Sequence, residues 1–350
     1  MYPSDKDPVY GTFVRNFYET IKSRNAGGRN DLVVIRGQRR RKLAKLRAYL
    51  KFYSELTAKL LFGKYDLVYI HTITFPAPAV RLASIFRRLP IVFNVHGDDV
   101  LPSNGFKRKL KRLATPAVYK ALMIVSPSEY FRGVLLREFP GFEPAKIFVS
   151  PSGGIGKSFF REPETVGDGP LRLGFVSRID RGKGWEMFVE TVKRLRAEGI
   201  DCRGIMAGRG AQSELLRETI EREGLQGIVD YRGGVPYDEL PGIYRSMDLF
   251  VFPTTRAAES LGLVGIEAMA SGTPVVASNM AGPSGYITDG VDGFLFEPGN
   301  IDDLICKIKK YIALPEEEKI AMRRSAFESS LTFESTHVAD ELYARLISLV

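Results

Sequence analysis

A chain of 350 residues is long enough for two domains of roughly 100–200 residues each, and an apolar share of 44% is ordinary for a soluble globular protein. No run reaches the roughly 18–20 apolar residues that span a bilayer, and Cys202 and Cys306 lack metal-ligand or redox spacing, so both are expected as small buried residues in a reducing compartment. The net charge of +9 is unevenly divided: residues 1–152 hold 27 Lys and Arg against 11 Asp and Glu, a balance of +16, and the remainder carries −7, so the first half is expected to meet an anionic partner.

Strand-like apolar runs alternate with helical stretches along the chain. In the first half the runs are 32–35, 67–70, 91–95, 122–125 and 146–149. Between the first two lies a basic cluster, Arg36, Arg39, Arg40, Arg41, Lys42, Lys45, Arg47 and Lys51. It leads into a helix-like stretch with Tyr49, Phe52, Leu56, Leu60 and Leu61. A second cluster, Lys107, Arg108, Lys109, Lys111 and Arg112, precedes another helix. The clusters read either as solvated helix faces or as a surface that docks on an anionic membrane. No recognition helix, zinc finger or aromatic RNA-binding motif accompanies them, so nucleic acid is not an expected partner.

Polar, glycine-rich residues at 150–154 mark a boundary, giving an expected first domain at 1–152 and a second at 153–333. The second repeats the alternation, with runs at 171–176, 202–206, 228–231, 249–252, 275–277 and 293–296. This pattern implies parallel sheets with helices on both faces, an α/β class with two Rossmann-like domains.

The most informative segment is 254–278. A continuous apolar strand enters it, a polar loop carries Glu259, and a short helix holds Glu267 within its first two turns. Gly262 and Gly265 at the helix start weaken the helix by about 0.5–1 kcal/mol each, which points to a close backbone approach to something, with helix-on-strand packing as the other explanation for one of them. A helix start leaves N–H groups free for an anion. The carboxylates suit hydroxyl donors instead, because like charges repel. Amides for phosphate beside carboxylates for hydroxyls fit a nucleotide sugar.

This segment resembles the E-x7-E signature of family-four retaining glycosyltransferases, the bacterial surface-polysaccharide type, whose fold is GT-B. The resemblance extends through Gly282, Asp289, Gly290, Gly293, Phe294, Leu295, Glu297, Pro298 and Gly299, and through Gly174, Arg178, Lys183, Gly184, Gly208, Gly210, Gly233, His96 and Gly97. It implies two Rossmann-like parallel-sheet domains facing a central cleft, with a C-terminal helix at about 334–350 returning to the first domain. The stretch around Tyr2, Pro8 and Gly11 resembles the loop after the family's first strand, so that strand of the N-terminal domain is expected to be missing here.

By the same resemblance, Arg178 and Lys183 neutralise a departing nucleoside diphosphate. Glu267 binds ribose hydroxyls and Glu259 the transferred sugar. The backbone of Ser260, Leu261 and Gly262 contacts sugar and phosphate. Gly11 approaches the donor phosphates or the acceptor, though an ordinary turn explains it equally. Gly234 and Val235 belong to a loop that holds the base, or to a simple turn. His96, after a strand, contacts the reacting centre; His71 is structural or supports it. No cofactor or metal is implied beyond the sugar nucleotide as substrate.

Two motifs are set aside. Residues 153–158 end like a phosphate loop, but Pro151 stands where its first glycine is required. Gly208-Arg-Gly210 lacks the third glycine of a dinucleotide fingerprint.

The expected function is thus a retaining, metal-independent hexosyltransferase moving a sugar from a nucleoside-diphosphate sugar to a saccharide or lipid-linked saccharide. Its expected location is the cytoplasm or the inner face of the cytoplasmic membrane. The alternatives are a GT-B sugar-nucleotide epimerase or hydrolase, which needs no acceptor, and a catalytically silent nucleotide-sugar-binding protein.

Overall fold

The computed structural model describes residues 2, 12–25, 27–37, 42–163 and 169–350. It divides into two compact units, Met1–Gly154 with Thr336–Val350, and Ile155–Ser335.

In the first unit, helices α1 (Thr12–Arg24) and α2 (Lys42–Phe62) precede an alternation of β1 (Val68–His71), α3 (Ala77–Phe86), β2 (Ile91–Asn94), α4 (Gly105–Val118), β3 (Met123–Ser126), α5 (Glu129–Glu138) and β4 (Ile147–Val149). The strands form one parallel sheet in the order β1–β2–β3–β4, with Val68 opposite Ile91 and Val92 opposite Met123. Every residue of β2 and β3 is buried, as strands covered on both faces require. Ile91, Phe93 and Ile124 join Ala83, Ala114 and Phe131 of the helices in one apolar cluster, while Val92, Met123 and Val125 turn to another. Helix starts are set by side chains: Asn104 accepts the Lys107 N–H and Ser128 the Phe131 N–H.

In the second unit the order is β5 (Leu171–Val176), α6 (Trp185–Ala197), β6 (Cys202–Ala207), α7 (Ser213–Arg222), β7 (Val229–Tyr231), α8 (Leu240–Arg245), β8 (Leu249–Phe252), α9 (Leu263–Ala270), β9 (Val275–Ser278), β10 (Gly293–Phe296), α10 (Ile301–Ala313) and α11 (Glu316–Ser330). The sheet is parallel throughout, in the order β10–β9–β8–β5–β6–β7. From β5 the chain builds outward on one side to β7, then returns to build the other side from β8. The switch point therefore lies between β5 and β8. Asp248, just before β8, ties these two strands: its carboxylate accepts the Arg172 N–H at 2.8 Å and the guanidinium at 3.1 and 2.6 Å. The last helix, α12 (Ser335–Ile347), packs in the first unit, where Leu342 and Leu346 join Val92, Met123 and Val125 and Asp340 accepts from Arg24 at 2.6 Å.

Two expectations are corrected. Residues 32–35 form no strand. They and Val68–Thr72 line a cavity of about 250 Å³ together with Phe52, Leu56 and Leu60. Their side chains meet at this cavity while β1 pairs only with β2 among the described residues. Without a hydrogen-bonded neighbour, an apolar run does not become a strand. Cys306 is exposed, because it falls on the outward side of α10, whereas Cys202 is buried in β6. Gly11 lies outside the described residues.

Candidate donor site

In an open parallel sheet the ligand crevice lies beyond the carboxyl ends of the strands, at the switch point. The loops that follow β5 and β8 leave the sheet there, and they are laid against each other. Thr255 N–H donates to Gly182 O at 3.0 Å, and the Thr254 hydroxyl reaches the same carbonyl at 3.3 Å. Gly184, at φ +86°, makes the approach feasible: a Cβ there would stand 2.1 Å from Pro253 O. The result brings Lys183 and Glu259 together. Their ammonium and carboxylate form an ion pair, largely withdrawn from solvent, with the Thr254 hydroxyl 3.5 Å from the same Glu259 oxygen.

Arg178 begins the same β5 loop. Its side chain is exposed and pairs with Asp180 at 3.0 Å, and Asp180 O accepts the Lys183 N–H at 3.2 Å. Three cations, Arg178, Arg181 and Lys183, thus lie on one short loop, with Lys183 held by Glu259 and the two arginines open to solvent.

Leu261 is buried, while Ser260 is half-buried. Gly262 precedes α9 at φ +81°. Both glycines of this stretch have a packing cause. An added Cβ at Gly262 would lie 2.6 Å from the Phe252 ring, and one at Gly265 2.2 Å from Tyr286 Oη, so no ligand is needed to explain them. The Tyr286 hydroxyl donates to Gly262 O at 3.0 Å and closes this corner.

Glu267 is buried on α9, at 5% exposure. Tyr244 Oη donates to its Oε2 at 2.9 Å. Desolvation raises its carboxyl from the ordinary 4.5 to about 6, against the lowering effect of the Tyr244 and Tyr237 hydroxyls.

Gly233, at φ +68°, offers its carbonyl to the Gly208 N–H at 2.6 Å, joining the loops after β6 and β7. Gly234 faces the Arg209 side chain, and Val235 lies half-buried beside the core.

In the first unit, His96 follows β2 by two residues. Its Nε2 is 3.2 Å from His71 Nδ1, and the rings stack at 5.5 Å. Desolvation lowers both histidines, His71 well below the ordinary value, with His96 as a further cause. Asp99, buried, accepts the His96 N–H at 2.9 Å and the Ile73 N–H at 3.1 Å, which assigns it to holding two loops. Thr72, beside His71, has φ +68°, a left-handed conformation that is uncommon without glycine.

Tyr244, Tyr237, Thr254, Asp180 and Arg209 were not singled out from the sequence. None sits in a spacing that signals chemistry; all but Asp180 matter through a neighbour distant in the chain, and Asp180 through the local turn it closes.

Residues 156–327 match the family described as glycosyl transferases group 1, and residues 14–153 match glycosyltransferase family 4. The chain is similar, at 30% identity over 255 residues, to D-inositol 3-phosphate glycosyltransferase of Paenarthrobacter aurescens (strain TC1); the match covers 68% of this chain and 62% of that protein. It is 28% identical over 281 residues to the GDP-mannose-dependent alpha-(1-6)-phosphatidylinositol monomannoside mannosyltransferase of Mycolicibacterium smegmatis, covering 73% and 70%. The Anabaena protein HepE, solved in complex with UDP, superposes with a TM-score of 0.70 at 22% identity, covering 90% of this chain and 85% of that one. The chain is therefore a GT-B protein composed of a glycosyltransferase family 4 domain and a glycosyl transferases group 1 domain.

Proposed function

We propose that this protein transfers a sugar, with retention of anomeric configuration and without a metal, from a nucleoside-diphosphate sugar to a saccharide or lipid-linked saccharide. The observation that carries the reading is the meeting of Lys183 and Glu259 at the β5–β8 switch point, with Arg178 on the same turn and Glu267 eight residues beyond Glu259. Lys183 and Arg178 stabilise the charge that grows on the leaving diphosphate, while Glu259 takes hydroxyls of the transferred sugar and Glu267 those of the ribose. Charge that appears only in the transition state is best met by groups already fixed in place. The bond from the anomeric carbon to the diphosphate breaks, the acceptor hydroxyl adds on the same face, and its proton leaves with a diphosphate oxygen.

The named activities of the two relatives, inositol phosphate and phosphatidylinositol mannoside glycosylation, fit anionic acceptors of this kind. So does the first unit's surface: Leu43, Leu46 and Leu50 stand exposed on α2 among Lys42, Lys45, Arg47 and Lys51, a combination suited to docking on an anionic membrane.

Thermal-shift screening with UDP-, GDP-, ADP- and dTDP-sugars tests the donor reading, since a ligand of the native state raises the melting temperature. One class of donor is expected to stabilise the protein, and Lys183→Ala to lose that response. Silence with all four would reject the reading. Release of free sugar or an isomerised donor without any acceptor would identify a hydrolase or epimerase instead. Flotation with anionic vesicles at low salt tests docking; absence from the vesicle fraction would remove the membrane from the proposal.

A further inference from the structure

The proposed reaction gives Tyr244 no part, yet Tyr244 is the residue that touches Glu267. It lies on α8, fully buried, with its ring edge-on to Phe250 at 5.5 Å and beside Phe159 at 6.1 Å. Its carbonyl accepts the Thr273 hydroxyl at 2.8 Å, which ties α8 to the turn that follows α9. Ring and backbone are thus both held, and the hydroxyl has one place to go, Glu267 Oε2 at 2.9 Å.

The other groups around this carboxylate do not replace that contact. The Tyr237 hydroxyl faces Glu267 from the loop before α8, on an exposed side chain. The Tyr286 hydroxyl is turned to Gly262 O. Glu259 is engaged with Lys183. Among the described residues no cation pairs with Glu267. A neutral phenol is therefore the fixed donor of a buried carboxylate. An ionised carboxylate only accepts hydrogen bonds, at two oxygens with about four sites, whereas a protonated one also donates. To take two vicinal hydroxyls it must be ionised and fixed in orientation. With Oε2 anchored by Tyr244, the plane of the carboxylate is fixed for such hydroxyls.

We propose that Tyr244 is a positioning residue that holds Glu267 as an oriented carboxylate, so that the site selects the 2′,3′-diol of a ribonucleoside diphosphate. The inference rests on the donor reading above, which gives Glu267 the ribose hydroxyls, and adds to it the residue that orients that carboxylate.

The test compares wild type with Tyr244→Phe, which keeps the ring and removes one hydroxyl. Affinity for UDP, GDP and 2′-deoxy-UDP is measured by calorimetry from pH 5 to 9. The wild type is expected to lose affinity as pH falls through about 6, where Glu267 takes up a proton. In Tyr244→Phe this acid limb moves up by about one pH unit, while affinity at pH 9 stays within a few-fold of wild type. The wild type also binds the ribonucleotide more tightly than the deoxy analogue, and the variant loses most of that preference at pH 7. An acid limb at the same pH in both proteins, or a loss of affinity equal at every pH, overturns the proposal, because a purely structural tyrosine would behave so. If Tyr244→Phe does not fold, Glu267→Gln is added to it: recovery of a cooperative melt supports the pairing, and no recovery overturns it. A wild type that binds no nucleoside diphosphate at any pH rejects the donor reading and this inference with it, whereas binding with an unmoved limb rejects Tyr244 alone.

Discussion

Lys183 and Glu259 are 76 residues apart in the chain and form an ion pair in which each side chain keeps little solvent contact, 12% and 15% exposure. The pair holds the cation at the place where the proposed mechanism needs one. In the proposed mechanism a diphosphate competes with Glu259 for Lys183, and the carboxylate so released takes the sugar hydroxyls.

Lys183→Ala is expected to lower transfer by about 10²–10³-fold, the range found when a group that stabilises transition-state charge is removed. Initial rates at saturating donor measure it, with a melting curve as control for the fold. A rate within a factor of three of wild type would show that Lys183 plays no part in the chemistry.

Glu267→Gln is expected to trade function for stability. The folded carboxyl is raised from 4.5 to about 6, so the native state binds the proton more tightly than the unfolded chain does. The sign follows: wild-type stability from this group is greatest below about pH 4.5 and falls as pH rises to about 6, then stays level. The variant, unable to ionise, escapes that loss, a gain of about 2 kcal/mol at pH 7 that vanishes near pH 4. Urea unfolding of both proteins at the two pH values reads the difference, and donor binding should be weakened in the same variant. Equal differences at pH 4 and pH 7 would contradict the raised value.

Asp248→Ala removes the carboxylate that joins β5 to β8. The lost contacts comprise one backbone N–H and a two-pronged guanidinium interaction. Arg172 is partly exposed and turns to water, which spares the protein the full penalty of a stranded buried charge. A loss of about 2–3 kcal/mol is expected from denaturant unfolding, larger than that of Asp302→Ala, because Asp302 is exposed whereas Asp248 is buried.

Thiol labelling separates the two cysteines. Cys306 is exposed and should react in the native protein, whereas Cys202 is buried with its thiol pushed up to about 11. One equivalent of label is expected before unfolding and two after. Two fast equivalents in the native state would show that β6 opens readily.

The pattern of apolar runs was a good guide to the sheets because burial of a strand on both faces is recorded locally, residue by residue. Residues 171–176 and 293–296 became β5 and β10 with the same limits, and Glu267 falls within the first two turns of α9, as expected. Residues 32–35 carry the same apolar signal, but among the described residues no neighbouring backbone pairs with them, and a run of side chains does not report whether a partner strand is there. Gly262 and Gly265 mislead in a related way: the sequence shows that space is needed, and only the coordinates show that Phe252 and Tyr286 take it.

The sequence by itself determined the α/β class, the two-part chain, the uneven charge and the residue types suited to diphosphate and hydroxyl recognition, since each is a local or additive property. Tertiary structure alone decided that Lys183 meets Glu259, that Tyr244 reaches Glu267 and that Cys306 faces solvent. Those outcomes depend on β5 lying beside β8 and on helices packing across many intervening residues. Hydrogen bonding between distant strands selects such neighbours, and no spacing along the chain encodes it.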